Sequence, residues 1–195
     1  MYYSVMKNPI LKLILVLSIF ANGIFAYMFV QNGNGTAISD TGTSTHTTPT
    51  QEPVVYESGK SYPFIRVIDG DTIVVAFDDK QQYVRLIGMN SPEPHDPAGP
   101  ECYAKEATDH LREITQTGLV VLHFDESQGM HDSYGRLLAY VELTDGTDLG
   151  MKMIEDGYAH EYEYKSSYAR QMLYKESEKV AIEEERGLWA NDICN

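Results

Sequence analysis

The chain has 195 residues and a mass of 22.0 kDa, 43% of them apolar and 23% charged, which leaves room for one ordinary core with appendages and excludes a pair of full-sized domains. Its 29 acidic residues against 15 basic ones give a formal charge of −14. Of these, 26 acidic and 12 basic residues lie in 62–195, so the broad basic footprint of a general polyanion binder is absent and any anionic ligand must be met by a few placed cations.

Lys7 and Lys12 precede Leu13 to Val30, an uncharged run of 18 residues. That exceeds the roughly 7 to 15 apolar residues of a cleaved export signal and approaches a membrane span. Residues 1–30 are therefore read as a signal anchor, a hydrophobic helix with its basic end in the cytoplasm and the rest of the chain outside. Cleavage after Gly23 or Ala26 is the alternative and would release a secreted protein. From Gln31 to Ser61 the chain is a Thr, Ser, Gly and Pro mixture, too poor in apolar residues to fold by itself, and is read as a flexible linker.

Structured sequence is expected over 62–195. Phe64 to Ile68 and Ile73 to Phe77 are strand-like and are joined at Asp69-Gly70-Asp71, and Asp78-Asp79-Lys80 turns into a third strand over Tyr83 to Ile87. Pro92, Pro94, Pro97 and Pro100 then impose a long irregular loop. Ala104, Ala107, Leu111 and Ile114 recur at helical spacing up to Gly118, and Leu119 to Phe124 and Leu137 to Leu143 read as two more strands. A short helix follows Asp148 and stops at Gly157, and a longer one runs from Tyr168 to Arg186 before Gly187. The order βββαββαα predicts an α+β, mainly β domain: a five-stranded barrel of the OB type with three packed helices.

Three islands carry chemistry: Asp69-Gly70-Asp71-Thr72, Arg85 to Glu93, and Asp132-Ser133-Tyr134-Gly135-Arg136. Each alone is ordinary turn or strand sequence. Together they supply oxygen ligands for a hard cation, a carboxylate for an attacking water, and two guanidinium groups whose planar forks match phosphate oxygens.

In composition, order and spacing these islands resemble the staphylococcal nuclease (thermonuclease) family, from about Tyr62 to Trp189. The resemblance implies that Asp71 and Asn90 offer side-chain oxygens, and Ser91 its backbone carbonyl, to a Ca2+ ion, with Asp69 supporting them from behind. It implies that Glu93 is the general base and that Arg85 and Arg136 neutralise the phosphorus centre, so that the 5′ oxygen leaves and 3′-phosphates remain. It also implies that Tyr134, Tyr162 and Tyr164 stack on bases of a DNA or RNA substrate, single-stranded or frayed, with little sequence preference. Asn90 departs from the best-known member, which has aspartate there. The ligand oxygen is kept and one negative charge is lost, so weaker calcium binding is expected.

Cys102 and Cys194 are expected to meet oxidising conditions, where they can form a disulfide; two buried free thiols are the alternative. His95, His110, His123, His131 and His160 show no zinc-ligand spacing. A monomer is expected. The competing function is a non-catalytic OB module that holds single strands or an envelope partner without cutting.

Overall fold

The computed structural model describes residues 55–116 and 118–194. The expected membrane anchor and residues 31–54 of the linker lie outside the described residues. Among the elements are strands β1 (Lys60–Asp69), β2 (Thr72–Phe77), β3 (Lys80–Leu86) and β4 (Met89–Asn90), then helix α1 (Ala104–Ile114). They continue with β5 (Leu119–His123), β6 (Leu137–Leu143), α2 (Leu149–Glu155), β7 (His160–Glu161), α3 (Gln171–Glu183) and a 3₁₀ turn at Gly187–Trp189.

Five strands close a barrel in the order β1-β2-β3-β6-β5, and β5 pairs back onto β1. All ladders are antiparallel except β3 with β6. The closure follows from side-chain alternation. Ile73, Val75, Val84, Leu86, Val120, Leu122, Leu137, Ala139 and Val141 occupy alternate positions on their strands and are all buried, so one face of each strand points inward. The registers match inner face to inner face, with Ile73 opposite Val84, Val84 opposite Leu137 and Leu122 opposite Val141. β1 serves two neighbours, giving Lys60–Pro63 to β5 and Phe64–Asp69 to β2, with register breaks near Ile65 and Ile68. Such bulges bend a strand enough to turn a barrel corner.

α1 packs on the barrel through Ala104, Ala107, Thr108 and Leu111, one face at helical spacing. Asp148 caps α2 by accepting the Met151 N–H at 3.0 Å, and it also takes the Tyr174 hydroxyl of α3 at 2.8 Å and pairs with Arg170. One buried carboxylate thus fastens both C-terminal helices.

Four features differ from the expectation. The ordered barrel starts earlier than Tyr62, since β1 begins at Lys60 and the Tyr56 ring packs 4.6 Å from that of Phe77. α1 ends at Ile114 rather than near Gly118, because the Thr115 hydroxyl and N–H both donate to the Leu111 carbonyl and close the last turn. α3 is shorter than Tyr168–Arg186. Tyr168 is drawn out to contact the Gly88 carbonyl and Glu161, while Glu185 and Gly187 at positive φ end the helix. Finally, the two-residue strands β4 and β7 pair with each other, Met89 opposite Glu161 and Asn90 opposite His160. They are too short to leave a periodic trace, yet they carry Asn90 and aim the chain that follows.

Cys102, just ahead of α1, and Cys194 in the C-terminal tail form a disulfide across 92 residues of sequence. Cross-linking so long a loop restricts the unfolded chain and contributes about 2 to 4 kcal/mol. Replacing both cysteines by serine is expected to lower the urea midpoint, the unfolding free energy falling by that amount and the slope rising as the released denatured chain exposes more surface. An unchanged midpoint would mean the bridge contributes nothing to folding stability.

Candidate active site

The site is assembled around one buried carboxylate. The β1–β2 turn is an Asx turn in which the Asp71 N–H donates to Asp69 Oδ1 at 3.2 Å. At its apex a Cβ on Gly70 would lie 2.6 Å from the Ser91 hydroxyl, so only glycine lets the turn press against the loop after β4. Asp71, buried at 7% exposure, accepts the Thr72 hydroxyl at 3.0 Å and the Ser91 N–H at 3.1 Å, and pairs with Arg85 at 3.1 Å. The first two islands of the sequence meet there.

Arg85 sits opposite Thr72 across the β2–β3 ladder. Its guanidinium donates to the Leu86 carbonyl at 3.1 Å, the Met89 carbonyl at 2.9 Å and Asn90 Oδ1 at 2.9 Å. Arg136 arrives from the turn before β6 and donates through Nη1 to the Thr72 hydroxyl at 3.2 Å. Thr72, the last residue of the first island, is therefore its link to the third. Asp132 orients Arg136: its carboxylate accepts Nε at 2.6 Å and the N–H groups of Tyr134 and Arg136, both at 2.9 Å.

Arg85, Asn90, Arg136, Tyr134, Tyr162 and Tyr164 line one groove of about 220 Å³. Tyr134, Tyr162 and Tyr164 are 85%, 44% and 56% exposed, too open to serve as core and suited to meeting flat ligands. The Arg136 guanidinium lies 5.5 Å from the Tyr134 ring centre, and the Tyr162 and Tyr164 rings are 6.5 Å apart. Gln128 joins the lining and donates to the Ser166 carbonyl at 3.1 Å, tying its loop to the tyrosine segment.

Asp71 and Ser91 lie behind Arg85 rather than on the groove wall, and Asp69 lies in the turn that Asp71 closes. Glu93 is exposed in the proline loop two residues past Ser91 and is not among the groove-lining residues; its Oε1 accepts the His95 N–H at 3.2 Å. The structure thus unites the two arginines, Asn90 and the three tyrosines, with the acids placed behind or beside them. Thr72, Asp132 and Gln128 join the site with no role expected of them. For Asp132 a signal existed, since aspartate opening a Ser-Tyr-Gly turn is an Asx signature; for Thr72 and Gln128 there was none, because their partners are 64 and 38 residues away.

The donors suit a hard cation: carboxylates of Asp69 and Asp71, the amide oxygen of Asn90 and the oxygens of Ser91, with neither sulfur nor imidazole. Burial, and then the neighbouring Asp71 charge, push the Asp69 carboxyl up to about 6. Two carboxylates crowded in one partly buried turn are what a bound cation relieves. Among the described residues no three His, Cys, Asp or Glu side chains form a metal-sized cluster, so such an ion needs neutral oxygens too. The histidines are dispersed, with His110 on Asp156, His123 on Glu142 and His160 near Glu178.

A closed OB-type barrel whose rim gathers two arginines and three exposed tyrosines on one groove defines the class: an OB-type barrel with a cationic and aromatic rim groove. The staphylococcal nuclease homologue family model matches residues 83–191. The chain is 38% identical over 136 residues to the thermonuclease of Staphylococcus hyicus, covering 68% of this chain and 77% of that protein. It is 34% identical over 134 residues to the thermonuclease of Staphylococcus intermedius, covering 67% and 77%. It is 33% identical over 129 residues to endonuclease YncB of Bacillus subtilis (strain 168), covering 64% and 59%. The chain belongs to the staphylococcal nuclease family.

Burial pushes the Asp132 carboxyl up, but the Arg136 guanidinium and the N–H groups of Arg136 and Tyr134 outweigh it and hold the pKa below the ordinary value. A carboxylate lowered by folding stabilises the native state above its unfolded-state pKa, and that contribution is lost as pH falls through the folded value. Thermal midpoints of the wild type and Asp132→Asn are expected to differ steadily above about pH 5 and to converge as pH falls below the ordinary carboxylate range. A gap that persists unchanged into acid would show that the charge on Asp132 is not what holds the turn.

Proposed function

We propose that this chain is a calcium-dependent nuclease that hydrolyses phosphodiester bonds of DNA or RNA outside the cytoplasm with little sequence preference, leaving 3′-phosphates. The observation that carries the reading is the convergence of Arg85, Arg136, Tyr134, Tyr162 and Tyr164 on one groove. Stacking on aromatic faces is worth roughly 1 to 3 kcal/mol per base and is indifferent to sequence, which suits a protein of net charge −14 that lacks a general hold on polyanions. The export-type residues Lys7, Lys12 and Leu13 to Val30, together with the Cys102–Cys194 bridge, support a site outside the cytoplasm, membrane-anchored or released.

Asp71, Asn90 and Ser91 would hold Ca2+, with Asp69 supporting Asp71. The ion would supply positive charge to the phosphate as negative charge accumulates on its oxygens. Arg85 and Arg136 donate to those oxygens and stay charged at any working pH. Each is held in place beforehand, Arg85 by the Leu86 and Met89 carbonyls and Arg136 by Asp132, so little reorganisation opposes the reaction. Glu93 exchanges its contact with the His95 N–H for a water. The water oxygen bonds to phosphorus, its proton passes to Glu93, the bond to the 5′ oxygen breaks, and that oxygen takes a proton from solvent while Glu93 returns its own to solvent.

Release of acid-soluble nucleotide from heat-denatured DNA by the full chain tests this. Activity should appear with calcium, vanish with a chelator, and fall by about 10² to 10⁴ in Glu93→Ala. Retention of DNA without cleavage, indifferent to that change, would instead mark a barrel that holds strands without cutting them. Asn90→Asp restores a charge to the oxygen set and is expected to lower the calcium concentration for half-maximal rate. An equal or higher requirement would remove Asn90 from the ligands.

A further inference from the structure

Glu93 rides on a loop that runs from Ser91 to Pro100 and contains Pro92, Pro94, Pro97 and Pro100. Four residues of this loop have no N–H to donate, so it has limited means of bracing itself. The brace comes from one residue beyond it. The Glu93 N–H donates to Glu101 Oε2 at 2.7 Å, and the Glu101 N–H donates to the Glu93 carbonyl at 3.0 Å. Both backbone polar groups of Glu93 are thus engaged by a single side chain and main chain eight positions away. Glu101 is itself well fastened. Its carbonyl accepts the Ala104 N–H at 3.2 Å where α1 begins, Ala104 and Ala107 are buried against the barrel, and the next residue, Cys102, is bridged to Cys194.

We propose that Glu101 is a positioning residue for Glu93, holding the backbone from which the general base reaches its water. The proposal rests on the reading of Glu93 as that base. Glu101 is exposed, so its carboxylate contributes no core packing that would explain the contact. Bonds from a backbone N–H to an ionised carboxylate are short and about twice as strong as neutral ones. Where this one is made, it limits the freedom of the residue whose placement governs proton removal. Neither Glu93 nor Glu101 is among the residues lining the groove of Arg85, Arg136 and the tyrosines, so loss of the brace should affect turnover and leave substrate capture alone.

The test is kcat and KM of the full chain on heat-denatured DNA at saturating calcium, with thermal midpoints recorded for each variant. Glu101→Ala is expected to lower kcat about ten- to a hundredfold, the cost of misplacing a catalytic group by a fraction of an ångström to one ångström, with KM unchanged. Glu101→Gln removes the same charge but keeps an oxygen that accepts the Glu93 N–H, so it should retain most of the rate. The difference between these two variants isolates the hydrogen bond from any relief of repulsion toward DNA. Glu101→Lys, which sets a donor against a donor at an exposed position, should lose as much as Glu101→Ala. In the Glu93→Ala background Glu101→Ala should cost nothing further.

An unchanged kcat in Glu101→Ala overturns the proposal, as does a loss in Glu101→Gln equal to that in Glu101→Ala. An undiminished loss in the Glu93→Ala background does so too, because the effect would then not pass through Glu93. If Glu93→Ala itself keeps the wild-type kcat, the catalytic reading fails first and this one falls with it.

Discussion

The bond set of Asp71 is the constraint on which the site depends. Its carboxylate meets the Ser91 N–H and the Arg85 guanidinium, so a turn between two barrel strands, a strand arginine and the proline loop share one anchor. A carboxylate this buried is stable only when paired and hydrogen-bonded, and removing one partner would strand the other. The anchor is costly to break and therefore keeps the rim in one arrangement. Gly70 makes it possible, since a side chain there would collide with Ser91.

Charge is managed locally in a protein that is acidic overall. Arg85 is neutralised by Asp71 and Arg136 by Asp132, so neither arginine is a free cation waiting in solvent. What the pairing provides is orientation. Guanidinium groups held by fixed partners present their remaining N–H donors in set directions, so two long side chains need no further ordering before those donors are used. The exposed tyrosines complement this by offering area in place of charge.

A second layer of bonds steadies the groove wall. The β4–β7 ladder places Asn90 beside His160, and the Tyr162 N–H donates to the Gly88 carbonyl at 3.0 Å. Gly88, at positive φ, lies so close to the Tyr168 ring that a Cβ would stand 2.4 Å from it. The tyrosine segment, the strand-end glycine and the helix-entry tyrosine form one packed unit. Glu161 completes it by contacting the Tyr168 hydroxyl at 2.8 Å, and burial followed by this contact raises the Tyr168 pKa well above its ordinary value.

Much of the barrel was legible in the chain itself because strand alternation and helical spacing are local patterns. Ile73, Val75, Val84 and Leu86 declare an inward face by their spacing, and Ala104, Ala107 and Leu111 declare a helix face. Arg85 and Arg136 stood out as guanidinium groups on short polar islands, whereas the three tyrosines were set beside them only by the resemblance to the staphylococcal nuclease family. Tertiary structure alone decided that Thr72 bridges to Arg136, that Asn90 gives its oxygen to Arg85, and that Glu101 braces Glu93. The first spans 64 residues and forms only when barrel closure brings the β1–β2 turn and the turn before β6 to the same rim; the other two depend on how the chain after β3 and the proline loop fold back on themselves. The sequence by itself determined which chemical groups are available and on which elements they ride; the closed barrel decided which of them touch, because hydrogen bonds act over about 3 Å while sequence pattern carries no such distance.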